Sequence, residues 1–322
     1  MKNLLNVCSC MLAVLVCPLT AAQPYPVKTV RIIVTFPPGG PTDIVGRSLA
    51  QKFTETFKQQ FVVDNRAGAG GVIGTDVAAK SAPDGHTLLL GTSSGLSLNP
   101  ALNPKLPYNA FNDFAPISLV VINPQILVLH PSLPANSVKD LIRLAKARPG
   151  QINYASVGQG SPNHLGIEML KAMAGIDMVH IPYKGTAPAL TDLLAGQVSL
   201  MFNSMPSVLP QVKSGKLKGI AVGSAKRSPA APEIPTVAEA GVPGFEYVTW
   251  YGLFAPAATP RDIVARLNTE VVRILADPEL AQRLSSQGAE PSSTTPEQLA
   301  KFQRDEHERW KRVIQSAAIK LE

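Results

Sequence analysis

"VRIIVTFPPGGPTDIVGRSLAQKFTETF", residues 30–57, starts as a β-branched run, breaks at two prolines and two glycines, and resumes at helical spacing. Ile44, Val45, Leu49, Phe53 and Phe57 recur every three or four residues, the stripe of a helix that buries one face. Pro41 suits the first helical position, where its missing N–H has no intrahelical acceptor to lose. Gly39 and Gly40 let a ligand approach the backbone, and the first-turn amides that follow are donors for an anion. Asp43 suits a helix start as a negative charge, yet it repels a nearby carboxylate unless it faces away or meets an ammonium group.

The same unit recurs along the chain. "FVVD" (61–64) leads through "NRAGAGG" into "VIGTDVAAKS", "TLLL" (87–90) into "GTSSGLSLNP", and "INYASV" (152–157) through "GQGSPNH" into "LGIEMLKAMAG". "MVHI" (178–181) precedes "PYKGTAP", and "VSLMF" (198–202) precedes "NSMPSVLP". Strands alternating with helices predict parallel sheets covered on both faces, with ligands bound outside the carboxyl ends of the strands. Two long extended stretches, "ISLVVINPQILVLHP" (117–131) and "FEYVTWYGLFAP" (245–256), break the pattern. They predict two crossings between lobes, with 23–122 and 250–322 forming lobe 1 and 123–249 forming lobe 2. In the tail, Thr259–Pro260 and Thr295–Pro296 read as helix starts, and the mixed charges of 297–318 read as a solvated surface helix.

Residues 1–22 read as a secretory signal: Lys2, the apolar stretch 4–17, and "LTAA" (19–22) as the cleavage region near Ala22. The stretch is too short to span a membrane. All three cysteines (Cys8, Cys10, Cys17) lie in it, so the mature chain is expected to have neither disulfides nor thiolate metal sites. Without Lys2 the chain carries 29 Lys and Arg (30 − 1) against 23 Asp and Glu, a net charge of +6. Aromatics are 6% of the chain and no window is densely basic, which argues against nucleic acid as a partner.

The turns carry the candidate chemistry. "GTSSG" (91–95) matches the G-x-S-x-G elbow of serine hydrolases, with Ser93 as nucleophile. That elbow needs a helix straight after the serine, and Pro100, Pro104 and Pro107 leave little room for one. The competing reading makes Thr92, Ser93 and Ser94 hydroxyl donors to a ligand. "NRAGAGGVIG" (65–74) lacks the spacing of a dinucleotide fingerprint, because Ile73 stands where its last glycine belongs. The histidines show no metal-ligand spacing, so neither metal nor cofactor is expected. "SVGQGSPNH" (156–164) joins Ser156, a flexible Gly158–Gly160 turn, the capping Ser161 and His164, and "YKGTAP" (183–188) adds Lys184, the one cation at a strand end.

Taken together, these motifs resemble the periplasmic substrate receptors of tripartite tricarboxylate transporters, the Bug-type receptors. The resemblance rests on residues 25–50, 62–94, 154–170, 181–198 and 234–260, in order and at sensible spacing. It implies a two-lobed α/β flytrap of the periplasmic-binding-protein type. Such a receptor closes on a small carboxylated solute and presents it to the membrane subunits of a transporter; it is not an enzyme, and a monomer is expected. It also implies that amides, hydroxyls and waters grip the carboxylate. The first lobe's contacts are then expected from Phe36, Gly39, Gly40, Thr42, Asp43, Thr92 and Ser93. The second lobe's are expected from Ser156, Gly160, Ser161, His164, Lys184, Gly185 and Asn203. Two alternatives stay open from sequence: an exported serine hydrolase using Ser93, and a receptor that hands its closed form to a sensor kinase.

Overall fold

A computed structural model describes residues 25–286 and 288–316. The segment read as a signal, 1–22, lies outside them.

The chain begins as expected: β1 (Val30–Val34) turns into α1 (Pro41–Phe57), followed by β2 (Phe61–Asn65), α2 (Val72–Ala79) and β3 (Thr87–Thr92). β1 pairs in parallel with both β2 and β3. Val30, Ile32, Ile33 and Val34 are all fully buried, because helices cover both faces of the strand and leave no polar side to alternate with. α1 lays Val45, Leu49 and Phe53 into this core, each buried side chain contributing about 1.5–3 kcal/mol.

After a π-helical turn (Ser94–Leu98) and the short α3 (Asn99–Leu102), β4 (Phe114–Leu129) runs for 16 residues. The second half of the fold follows: α4 (Val138–Ala147), β5 (Asn153–Ser156), α5 (Pro162–Ala174), β6 (Val179–Pro182), α6 (Thr186–Leu194), β7 (Leu200–Ser204), α7 (Met205–Lys213) and β8 (Lys218–Val222). β9 (Val248–Pro256) then returns to the first half, and α8 (Arg261–Leu275), α9 (Pro278–Ser286), the short β10 (Glu290–Pro291) and α10 (Pro296–Ser316) complete it. Of the strands, β8 and β10 were not anticipated.

Strand order is β2-β1-β3-β9-β4-β7-β5-β6, with β8 and β10 also paired to β4. The parallel units stand at the two ends, β2-β1-β3 and β7-β5-β6. The two long strands between them are antiparallel to their neighbours. β4 pairs with β9 from Phe114 to Pro124 and with β7 from Gln125 to Leu129. Pro124 sits where the strand exchanges partners, the position in a ladder at which a missing N–H costs least. The two long extended stretches read from the sequence are β4 and β9, and they lie side by side, with Ile122 opposite Trp250 and Asn123 opposite Thr249.

α10 corrects the reading of a solvated tail. Leu299 and Phe302 pack with Trp250 and Phe254 in the first half, whereas Trp310 packs with Tyr247 and Leu165 in the second. Gln303 is buried with them and donates to the carbonyls of Leu96 (3.0 Å) and Ala110 (2.8 Å). The helix thus clamps both halves of the fold. Its charges lie on the remaining faces, apart from the buried Glu306, which pairs with Arg309.

Tyr247 is fully buried between α5 and α10, and α5 meets it through Gly166. A Cβ on Gly166 would stand 2.4 Å from the Tyr247 ring, far inside van der Waals contact. Gly166→Ala is therefore expected to destabilise the protein by about 1–3 kcal/mol despite alanine's better helix propensity, a loss that urea unfolding measures directly.

Candidate functional site

The β1–α1 turn is built around Asp43. Its Oδ2 accepts the Gly39 N–H (2.9 Å) and the Arg47 Nε–H (2.9 Å), while Oδ1 accepts Asn65 Nδ2 (2.9 Å). Asn65 also donates to the Phe36 carbonyl (3.0 Å), tying β2 to the turn. Burial by itself would raise the Asp43 pKa, but the bonds from Arg47, Gly39 and Asn65 overcome it and hold the carboxyl below its ordinary range. This answers the question that its charge posed in the sequence: the carboxylate turns back into the loop and meets Arg47, one helical turn along α1.

Gly39 adopts φ +80° so that its N–H can point at Asp43, a conformation that strains any residue with a side chain. Gly40 is the N-cap of α1, no side chain caps the helix, and Pro41 takes the first position as expected. Among the described residues, no loop carbonyl or side chain accepts from the N–H groups of Gly40, Thr42 or Asp43. These three amides, at the positive end of the helix dipole, are available to an anion.

β3 ends at the buried Thr92, and the buried Ser93 follows it. Here the structure corrects one step of the sequence argument: helical turns do follow Ser93 directly, from Ser94 to Leu102, with Pro100 taken into the first turn of α3. The hydrolase elbow is absent on other grounds. Ser93 has relaxed helical dihedrals (φ −50°, ψ −36°) instead of the strained turn of a nucleophile elbow, and no histidine is bonded to it among the described residues.

In the second half, the β5–α5 turn is held by its own side chains. Ser156 Oγ accepts the Gly158 N–H (3.1 Å) and lies 2.6 Å from His180 Nε2. His164 Nδ1 accepts the Gly160 N–H (3.2 Å), and Ser161 caps α5 through the His164 N–H (3.4 Å). The His164 and His180 rings stack at 4.0 Å, and the Tyr154 ring lies beside both, 5.1 Å from His180 and 6.3 Å from His164. Burial lowers the His164 pKa, and burial together with the neighbouring His164 lowers His180 to about 4, so both rings are neutral near pH 7. The His164 lone pair then serves the turn as the acceptor of the Gly160 N–H. Tyr154 in turn donates to Glu168 (2.5 Å), which Lys171 neutralises at 2.8 Å.

Lys184 is exposed and makes no ion pair among the described residues. Gly185 caps α6 at φ +114°. Asn203 is buried at the end of β7, its Oδ1 accepting the Ser204 N–H (2.8 Å).

Between the two halves lies a cavity of about 350 Å³. The start of α1 supplies one wall (Gly39, Pro41, Ile44, Val45) and the start of α7 another (Pro206, Ser207). Asn123 of β4 lines it where the crossing strands pair, and Leu284 and Ala289 line it from α9 and the segment after it. Of the residues expected at the site, Gly39 lines this cavity, while the others occupy the turns at the ends of β1, β3, β5, β6 and β7. Sequence reasoning used Asn123 only as a marker of the crossing and gave Ser207 no role.

An α/β fold of two lobes, joined by paired strands and open between them, defines the molecule as a solute-binding receptor. The model of the tripartite tricarboxylate transporter family receptor matches residues 45–319, and the chain belongs to that family. Protein BugT of Bordetella pertussis is 41% identical over 302 residues, 94% of this chain and 93% of its own. Among solved structures, R. palustris Rpa4515 with adipate superposes at a TM-score of 0.85 with 37% identity, covering 92% of this chain and 99% of that one. MatC (Rpa3494) from Rhodopseudomonas palustris with bound malate superposes at 0.81 with 35% identity, covering 90% and 99%.

The histidine stack has a measurable signature. Both rings have pKa values below the unfolded reference of about 6.5, so the unfolded chain takes up protons first on acidification. The stability contributed by the neutral rings is complete above about pH 6.5 and is lost progressively towards pH 4. Urea titrations of parent and His180→Gln compared across that window isolate this contribution: the unfolding free energy of the parent relative to the variant is expected to fall as the pH drops from about 6.5 to 4.

Proposed function

We propose that this protein is a periplasmic receptor that binds a small carboxylated solute between its lobes and delivers it to the membrane subunits of a tripartite tricarboxylate-type transporter. The observation that carries this reading is the free set of amides on Gly40, Thr42 and Asp43 at the start of α1, the element that walls the interlobe cavity. A carboxylate seated there takes charge-assisted hydrogen bonds of about 1.5–3 kcal/mol each without needing a cation in the cavity wall. Phe36 and Gly39 shape the first-lobe turn, and Thr92 and Ser93 add hydroxyl donors. From the second lobe, Ser156, Gly160, Ser161, His164 and Gly185 set the facing turns, with Asn203 beside them. Lys184 supplies a mobile positive charge at the rim.

Residues 23–122 and 250–322 form the first lobe in this reading, and 123–249 the second. Closure bends the paired strands near Ile122–Gln125 and Thr249–Gly252, and a ligand that touches both lobes favours the closed form through its higher affinity for it. No helix of the described residues is long and apolar enough to cross a membrane. Residues 1–22 direct export, with cleavage near Ala22, and the mature chain acts as a monomer without catalysis. Adipate and malate, bound by two relatives, set the size of ligand to try first.

The test is thermal unfolding of protein that has first been unfolded and refolded to strip any carried-over solute, against a panel of di- and tricarboxylates, acidic amino acids and aromatic acids. A ligand at about 100 times its Kd adds roughly 2.7 kcal/mol, enough to raise the melting temperature by several degrees. A selective rise is expected. If every carboxylate leaves the melting temperature where it was, the receptor reading is wrong.

A further inference from the structure

Asn123 stands apart from every other polar side chain around the cavity. It is fully buried at the point where β4 pairs with β9, and it lines the cavity. Among the described residues, neither its Oδ1 nor its Nδ2 has a hydrogen-bond partner. The neighbouring polar groups are engaged elsewhere: Gln125 Nε2 donates to Thr249 Oγ1 (2.9 Å) and to the backbone carbonyl of Asn123 (3.2 Å). These bonds fix the strand and leave the Asn123 amide alone. A buried amide with both ends unpaired is costly, and such groups are retained where something else satisfies them.

We propose that Asn123 reads the ligand, and that the ligand carries a hydrogen-bond donor, a hydroxyl or an amide N–H, beside the carboxylate oxygen that Asn123 also contacts. The inference rests on the receptor reading and narrows it. A plain carboxylate offers acceptors only: it satisfies Nδ2 and leaves Oδ1 facing another oxygen. A 2-hydroxy acid presents an acceptor and a donor on adjacent carbons and meets both ends of the amide at once. The rest of the cavity wall reinforces this assignment. Apart from Asn123 and Ser207 its lining side chains are apolar or absent, so Asn123 is the lining residue able to exchange two hydrogen bonds with one ligand group. Discrimination of this kind is strong in a dry site, because a ligand without the donor leaves a buried acceptor unpaired.

Matched pairs test the proposal by calorimetric titration of the stripped protein: succinate against malate, and glutarate against 2-hydroxyglutarate. The hydroxylated member of at least one pair is expected to bind about tenfold tighter or better, the worth of one well-made hydrogen bond. Asn123→Ala is expected to bring that pair within about threefold while still binding the unhydroxylated acid, and to melt no lower than the parent without ligand, since it removes an unpaired polar group. Asn123→Ser is the second variant, expected to keep part of the preference through its smaller hydroxyl. If the parent binds these acids but treats each pair alike, or if Asn123→Ala keeps the full preference, the role of Asn123 is overturned and the receptor reading stands. If the parent binds no carboxylate at all, both fall together.

Discussion

The pairing of two strands that cross the molecule side by side is the constraint on which everything else depends. Where Ile122, Asn123 and Pro124 lie opposite Trp250, Thr249 and Val248, β4 gives up one set of partners and takes another. A ladder of backbone hydrogen bonds resists stretching but tolerates bending and twist, particularly where a proline interrupts it. Two parallel units can therefore be held in fixed register and still hinge. α10 limits that freedom, because Leu299 is anchored in one core and Trp310 in the other.

The electrostatic design follows from the same architecture. The starts of α1 and α7, one from each half of the fold, wall the cavity, so partial charges on backbone amides are concentrated there. Asp43 shows how the chain uses a full charge in such a place without spoiling it. The carboxylate is turned back into its own loop, where it fixes Gly39 and is neutralised by Arg47, and the amides beyond it stay free. The histidine stack does comparable work on the other side. Neutral His164 accepts from Gly160 and His180 sits against Ser156, which shapes the β5–α5 turn without adding charge to it.

Much of this was legible because its signals are local. A proline at the first helical position and glycines just before it mark the β1–α1 turn, and the alternation of short apolar runs with helical stripes marks the parallel units. β4 and β9 were visible as long extended runs with no helix inside either. What escaped notice depends on distant partners. In α10 the buried positions Gln303 and Glu306 are polar, so the stripe that faces the cores looks hydrophilic in sequence. β8 is a short run, "KGIAV", that becomes a strand only because β4 offers an edge to it. The turn after Ser93 was misjudged because Pro100 was counted as a barrier, although a proline in the first turn of a helix has no hydrogen bond to break. Asn123 gives no sequence signal at all, since its lack of partners is a property of the packed molecule.

Backbone amide exchange, followed with and without a carboxylate at saturating concentration, tests the account most directly. Slowed exchange is predicted in peptides covering residues 36–48 and 203–210, where the starts of α1 and α7 wall the cavity, together with 156–165, the turn proposed to carry the second lobe's contacts. A carboxylate that binds but leaves exchange at the start of α1 unchanged would contradict the claim that helix amides, held in place by Asp43, grip the ligand between the lobes.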